Sequence, residues 1–178
     1  MSQKKNIPLI GVGAILRENV AKGTELGKIA KSYMDSGELM PSDIVMSIIE
    51  ERIDKEDCQN GFIFDGFPRK VNEAQDFVDI IKRKNKEGKN YSIKVINFLI
   101  DEDVLLDRAE KRRVKENRTD DTPQTVKHRI KVYYEKTKPV EKLFENMGIL
   151  TNIDTKSKVG NETSEEDIFA KVLEATEE

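Results

Sequence analysis

"GFIFDGFPR", residues 61–69, decides the fold. Its "FIF" core at 62–64 is apolar on both faces, as a parallel strand covered by helices should be. The run stops at Asp65. An acid at the end of a buried strand is costly unless it meets a cation or finds donors. Gly66 permits a tight turn and the close approach of a ligand. Pro68 stiffens the exit, and Arg69 is suited to a two-pronged contact with a phosphate. A structural aspartate that caps the next turn accounts for the same letters, so the stretch alone leaves both readings open.

Two further runs, "VINFLI" at 95–100 and "ILTNI" at 149–153, read as buried strands, and "IPLI" at 7–10 is a weaker fourth. Helical segments lie between them. "ELGKIAKSYMDSG" has apolar residues at helical spacing and stops at Gly37. "SDIVMSIIEERI" follows Pro41, with Ser42 as the expected N-cap. "VNEAQDFVDIIKRK" and "DEDVLLDRAEKRR" follow the second and third strands. "TPQTVKHRIKVYYEKT" opens with Thr122 as cap and Pro123 at the first helical position. "SEEDIFAKVLEA" has a serine cap and acids in its first turn. Strands alternating with helices imply an α/β fold with a parallel sheet. Its ligand site belongs at the carboxyl ends of the strands.

The chain has 178 residues, which fits a single domain. Its net charge is only −3, and Lys and Arg are spread along it, so no basic field suits a duplex nucleic acid. No apolar run is long enough to span a membrane. The start, "MSQKKN", has no apolar signal region behind its lysines. One cysteine, Cys58, excludes an internal disulfide framework. A cytoplasmic or similarly reducing location is therefore expected.

Arginine is the residue type that stands out. Arg108 and Arg112 are four apart on one predicted helix face, and Arg118 and Arg129 follow. Four arginines converging on one cleft would suit a transferring phosphoryl group. Taken singly, each also reads as an ordinary surface arginine. "NIPLIGVGAILR" at 6–17 looks like a phosphate loop, but G-x-x-x-x-G-K-[ST] fits nowhere: the sixth residue from Gly11 is Leu16, and from Gly13 it is Glu18.

Taken together, "GFIFDGFPR", "LRENVAKGTELGKIAKSYMDSGELMPSDIV", "DRAEKRRV", "RTDDTPQTVKHR" and "VYYEKTKPVEKLFENMGIL" resemble the adenylate kinase family from about residue 7 onward. The few residues between "RRV" and "RTDD" resemble members with a short lid. The resemblance implies a P-loop-kinase-like parallel sheet flanked by helices, in one domain over 1–178, with AMP-side helices at about 14–57 and a short lid at about 113–121. It implies reversible, Mg²⁺-dependent phosphoryl transfer between ATP and AMP. Arg17 and Arg69 match the arginines that meet the AMP phosphate. Met40, Gly66 and Glu73 join them on the substrate side, Glu73 standing where the family places the glutamine that reads adenine. Arg108, Arg112, Arg118 and Arg129 match the catalytic arginines, Asp65 the acid that orients magnesium through water, and Asp120 and Asp121 the lid acids.

The departures gather in one place. "IPLIGVGAILR" matches the segment that follows the family's phosphate loop, so the first, central strand and the loop itself find no counterpart. Val12 stands for a threonine, Ala14 for an aspartate, and Glu73 can accept from the adenine amino group but cannot donate to the ring nitrogen. Three expectations follow: a weak or inactive adenylate kinase that binds AMP- and ATP-type nucleotides, a silent structural or nucleotide-binding subunit, or a truncated form of an active enzyme. Without a central strand, those at 62–64 and 95–100 must pair directly or leave open edges, and an open apolar edge invites a homo-oligomer or a larger assembly.

Overall fold

Leu9–Gly11 (β1) runs parallel to Ile63–Asp65 (β2), and Val95–Leu99 (β3) runs parallel to Leu150–Asp154 (β4). These are two separate two-stranded sheets, so β2 and β3 do not pair with each other. Of the two arrangements expected, direct pairing or open edges, the described residues show open edges. The computed structural model describes residues 7–155 and 164–177. In chain order its helices are α1 (Val12–Lys22), α2 (Glu25–Ser36), α3 (Ser42–Ile53), α4 (Val71–Lys86), α5 (Glu102–Glu116), α6 (Pro123–Val132), α7 (Lys138–Asn146) and α8 (Glu165–Glu177). The α/β class and the parallel pairing expected from the alternating pattern are both present.

One helix serves both sheets. On α4, Phe77, Ile80 and Ile81 pack with Ile10, Phe62 and Phe64 around β1 and β2. Ala74 and Val78 pack with Val95, Leu150, Val140 and Phe144 around β3, β4 and α7. Phe77 is the centre of an edge-on aromatic group, 5.3 Å from Phe64 and 5.6 Å from Phe67 between ring centroids. The strands are less buried than their sequence predicts: Phe98 is 47% exposed and Leu9 59%. A two-stranded sheet has too few neighbours to cover all its apolar side chains.

Local chemistry explains several helix ends. Thr24 Oγ1 accepts from the Gly27 N–H at 3.0 Å, and Thr122 Oγ1 accepts from the Thr125 N–H at 3.2 Å. Gly37 ends α2 in the left-handed region at φ 77°. Ser42, expected as the cap of α3, is instead its first residue, with Pro41 in the cap position. Its hydroxyl is drawn away to Glu73 Oε1, 3.2 Å distant on α4. α5 runs on through Glu116 to a left-handed Asn117, leaving 117–121 as the connection to α6.

The tightest helix contact is that of α1 with α2. A Cβ built on Gly27 would stand 2.1 Å from the backbone oxygen of Asn19 and 2.7 Å from the Val20 nitrogen. Neither backbone atom has room to retreat. Gly27→Ala is expected to destabilise by about 2–3 kcal/mol, which for a chain of this size lowers the thermal midpoint by roughly 5–10 °C. A melting curve that shifts by less than a degree would show that α1 and α2 do not meet at this glycine.

Candidate functional site

Asp65 closes β2 at its carboxyl end and is exposed. Its carboxylate makes no hydrogen bond or ion pair within 4 Å among the described residues, although its charge favours that of Arg69. Gly66 follows at φ 71°. Its lack of a side chain also makes room: a Cβ there would sit 2.7 Å from Arg69 Nη2. Arg69 folds back over this turn, and its Nε donates to the Gly66 carbonyl at 2.7 Å. The Phe67–Pro68 peptide is cis.

Three of the four predicted catalytic arginines converge, and they do so on a carboxylate. Asp121 has no side-chain exposure. Arg112 donates from Nε to Asp121 Oδ2 at 2.7 Å and places Nη2 2.6 Å away. Arg129 Nη1 donates to Oδ1 at 2.5 Å, and Arg118 Nη1 lies 3.6 Å from Oδ2. Arg129 also donates from Nη2 to Asp120 Oδ2 at 2.9 Å. Desolvation opposes the charge on Asp120, but the bond to Arg129 and the field of Arg129 outweigh it and hold its pKa below the usual aspartate value. Arg108, one turn before Arg112 on α5, is not among the donors to Asp121.

Arg17 and Arg69 differ from these three: neither has an ion-pair partner within 4 Å among the described residues. Arg17, on α1, lies over Gly13, where a Cβ would come 3.3 Å from its Nη1. Burial, and then repulsion from Arg118 and Arg112, lowers its pKa, with Asp120 opposing. Surrounding protein, and then Arg129 and Arg112, does the same to Arg69, with Asp65 and Glu73 opposing, although part of that side chain still meets solvent. Arg112 is thus the positive neighbour common to both. An arginine whose charged form is destabilised by other arginines stands where an anion would lower the energy. Arg17 and Arg118 also line a cavity of about 260 Å³, bounded by Lys31 and Met34 of α2 and by Glu116–Asp120. A larger hollow of about 480 Å³ beside β3, β4 and α7, lined by Tyr134, Lys138 and Asn152, lies away from the arginines.

The remaining substrate-side residues are turned inward. Glu73 is 2% exposed. Its Oε2 accepts from the Arg69 N–H at 2.9 Å and its Oε1 from Ser42. Lys70 Nζ donates to the Met40 carbonyl at 2.6 Å and lies 3.8 Å from Glu73. Met40 itself is in the core, 5% exposed, and so is Val12 at 7%. Sequence reasoning missed this knot of Lys70, Ser42 and Glu73, and also the contact of His128 on α6 with Glu38. No local pattern marks either, because the partners lie 28–31 and 90 residues apart.

The family described as adenylate kinase matches residues 1–149. Among curated proteins, the chain is 40% identical to an adenylate kinase of Leptospira biflexa over 86% of this chain and 81% of that one. It is 37% identical to one of Archaeoglobus fulgidus over 86% and 82%, and 36% identical to one of Alkaliphilus oremlandii over 96% and 87%.

Asp121→Ala leaves three guanidinium groups without their shared carboxylate. It should cost about 3 kcal/mol, toward the lower end for a broken buried pair because Arg112 remains half-exposed. Asp120 sets a pH dependence. Its folded pKa is below its unfolded one, so its contribution is complete above about pH 4 and is lost as pH falls through the lowered folded value. Urea midpoints measured from pH 6 down to 3 should fall, and Asp120→Asn should flatten that fall. Parallel curves for the two proteins would contradict the bond between Asp120 and Arg129.

Proposed function

The chain belongs to the adenylate kinase family, and on that premise we propose that these residues bind AMP- and ATP-type nucleotides through their phosphates and transfer a phosphoryl group slowly. One observation carries the reading. Arg17 and Arg69 have no ion-pair partner within 4 Å among the described residues; burial first, and then neighbouring arginines, disfavour their charge, and Asp120 and Glu116 beside Arg17 and Asp65 and Glu73 beside Arg69 offset this only in part. A phosphate would relieve that repulsion. Arg17 and Arg69 then hold the acceptor phosphate, the Gly66 turn lets it approach, and Met40 and Glu73 shape the nucleoside end. Arg108, Arg112, Arg118 and Arg129 serve the transferring group. Three of these are held by Asp120 and Asp121, so engaging a phosphate requires an exchange of partners.

Magnesium fits Asp65. Its carboxylate is exposed and accepts no hydrogen bond among the described residues, as a water-mediated contact needs, though it also attracts Arg69, and no group of three or more metal-ligating side chains exists among the described residues. That suits a cation which arrives with phosphates and keeps most of its waters. When bound, Mg²⁺ would neutralise phosphate charge. Asp65 would orient its water shell.

The slow rate follows from the letters. The 178 residues contain no G-x-x-x-x-G-K-[ST], so they offer no such cradle of backbone donors and no loop lysine. One preorganised donor is worth ~10²–10³ in rate. A second reading rests on the sheets: β2 and β3, each paired on one side only among the described residues, favour a structural or nucleotide-binding subunit that completes itself against another copy or a larger assembly. No helix among the described residues is long and apolar enough to cross a membrane.

Calorimetry with AMP and adenosine tests the phosphate role. Arg17→Ala should weaken AMP by about tenfold or more and leave adenosine unchanged, since a hydrogen bond to a charged group contributes ~1.5–3 kcal/mol. Equal losses for the two ligands would remove phosphate recognition from Arg17. In a coupled assay, ADP formation at ordinary kinase rates that is abolished by Arg112→Ala would overturn slow transfer. A monomer by light scattering would remove the case for an assembly of copies.

A further inference from the structure

Residues 123–146 form one unbroken helical run, but not a regular one. Between α6 and α7 it widens into a π turn, Tyr133–Thr137, in which the Lys138 N–H donates to the Tyr133 carbonyl five residues back. The sequence supplies a cause. Pro139 has no N–H for the Glu135 carbonyl, and its ring would press on that carbonyl in a regular helix. The turn is braced by Glu141, whose carboxylate accepts from the Tyr133 hydroxyl and from Lys138 Nζ. Single π turns of this kind are rare and frequently lie at functional sites.

The effect of the turn is one of phase. Arg129 and Thr137 are eight residues apart. In a regular α-helix they would stand about 80° apart around the axis. The extra residue taken up by the π turn cancels most of that offset, and both side chains come to face Arg69. Arg129 is the strongest of the charges that act on Arg69. Thr137 Oγ1 donates to the Arg69 carbonyl at 3.0 Å, across 68 residues of sequence. Hydroxyls inside helices often return to a carbonyl of their own preceding turn; this one reaches a different element instead.

Arg69 is thereby gripped on both sides of its main chain. Its N–H donates to Glu73 Oε2 at 2.9 Å, on α4, and its carbonyl accepts from Thr137. We propose that Thr137, brought into phase by the π turn, is a positioning residue for Arg69: it fixes the root of the guanidinium that meets the phosphate of AMP. The proposal rests on the reading of Arg69 as a phosphate contact. A planar guanidinium matches a phosphate with two parallel bonds only from a fixed origin, so a freed carbonyl would be felt in phosphate binding without Thr137 touching the ligand.

Calorimetry with AMP and with adenosine, on the 178-residue chain, tests this. Thr137→Val keeps the shape and removes the donor. It should weaken AMP about three- to tenfold, the worth of one hydrogen bond, and leave adenosine unchanged. Thr137→Ser should restore AMP binding. In an Arg69→Ala background, Thr137→Val should add no further loss, because its effect passes through Arg69. Equal losses for AMP and adenosine, or a loss that persists in the Arg69→Ala background, overturn the positioning role. So does a valine variant that binds AMP as the wild type does while Arg69→Ala binds it weakly; the phosphate reading then stands without Thr137. AMP binding that Arg69→Ala leaves unchanged, or no AMP binding by the wild type, removes that reading and this role with it. Thr137→Ala repeats the test if a melting curve shows the valine variant unfolded.

Discussion

The carboxylate of Asp121 has no water of its own, and three guanidinium groups take the place of its solvent. A buried aspartate left alone would be strongly disfavoured. Surrounding it with Arg112 from α5, Arg118 from the connecting turn and Arg129 from α6 ties three chain segments to one point. Once Arg129 is placed, its second nitrogen reaches Asp120 and the end of α2. The position of the α1–α2 arm relative to residues 117–121 thus depends on a charge that could not remain buried without its partners.

The same logic, with apolar groups, governs the other half of the molecule. Neither two-stranded sheet is large enough to be stable alone. α4 holds both by presenting Phe77, Ile80 and Ile81 to one and Ala74 and Val78 to the other. Its first turn also carries Glu73, whose oxygens accept from Arg69 and Ser42. The helix that joins the sheets therefore also orients the turn on which Asp65, Gly66 and Arg69 stand. Packing and site geometry are not separable here.

The arginines divide by what neutralises them. Arg112, Arg118 and Arg129 are satisfied internally, which stabilises the fold and delays any ligand until partners exchange. Arg17 and Arg69 have no ion-pair partner within 4 Å among the described residues, and nearby acids offset the repulsion from other arginines only in part. Glu73 and Met40 illustrate the opposite outcome. Their polar atoms are consumed by the chain itself, so contact with a nucleoside would be one of shape more than of hydrogen bonding.

Most strand and helix positions, the parallel pairing, the Thr122 and Ser164 caps and the family itself were legible in the sequence, because each depends on residues near one another or on a contiguous motif; the helices Val12–Lys22 and Lys138–Asn146 were not read from periodicity. That Arg112, Arg118 and Arg129 come together was expected as well, and they meet at Asp121. Three things were not. Ser42 carries the letter of a cap yet bonds to Glu73, since a buried carboxylate 31 residues away is the more demanding partner. Phe98 sits in an apolar run yet is exposed, since burial depends on how many strands stand beside it. Arg108 has the spacing of Arg112, but a shared helix face does not oblige two residues to share an acceptor. The sequence by itself determined which segments form and which chemical groups they carry. The tertiary structure alone decided which charges neutralise one another and which are left for a ligand, because electrostatic energy depends on distances between segments that the order of residues does not specify.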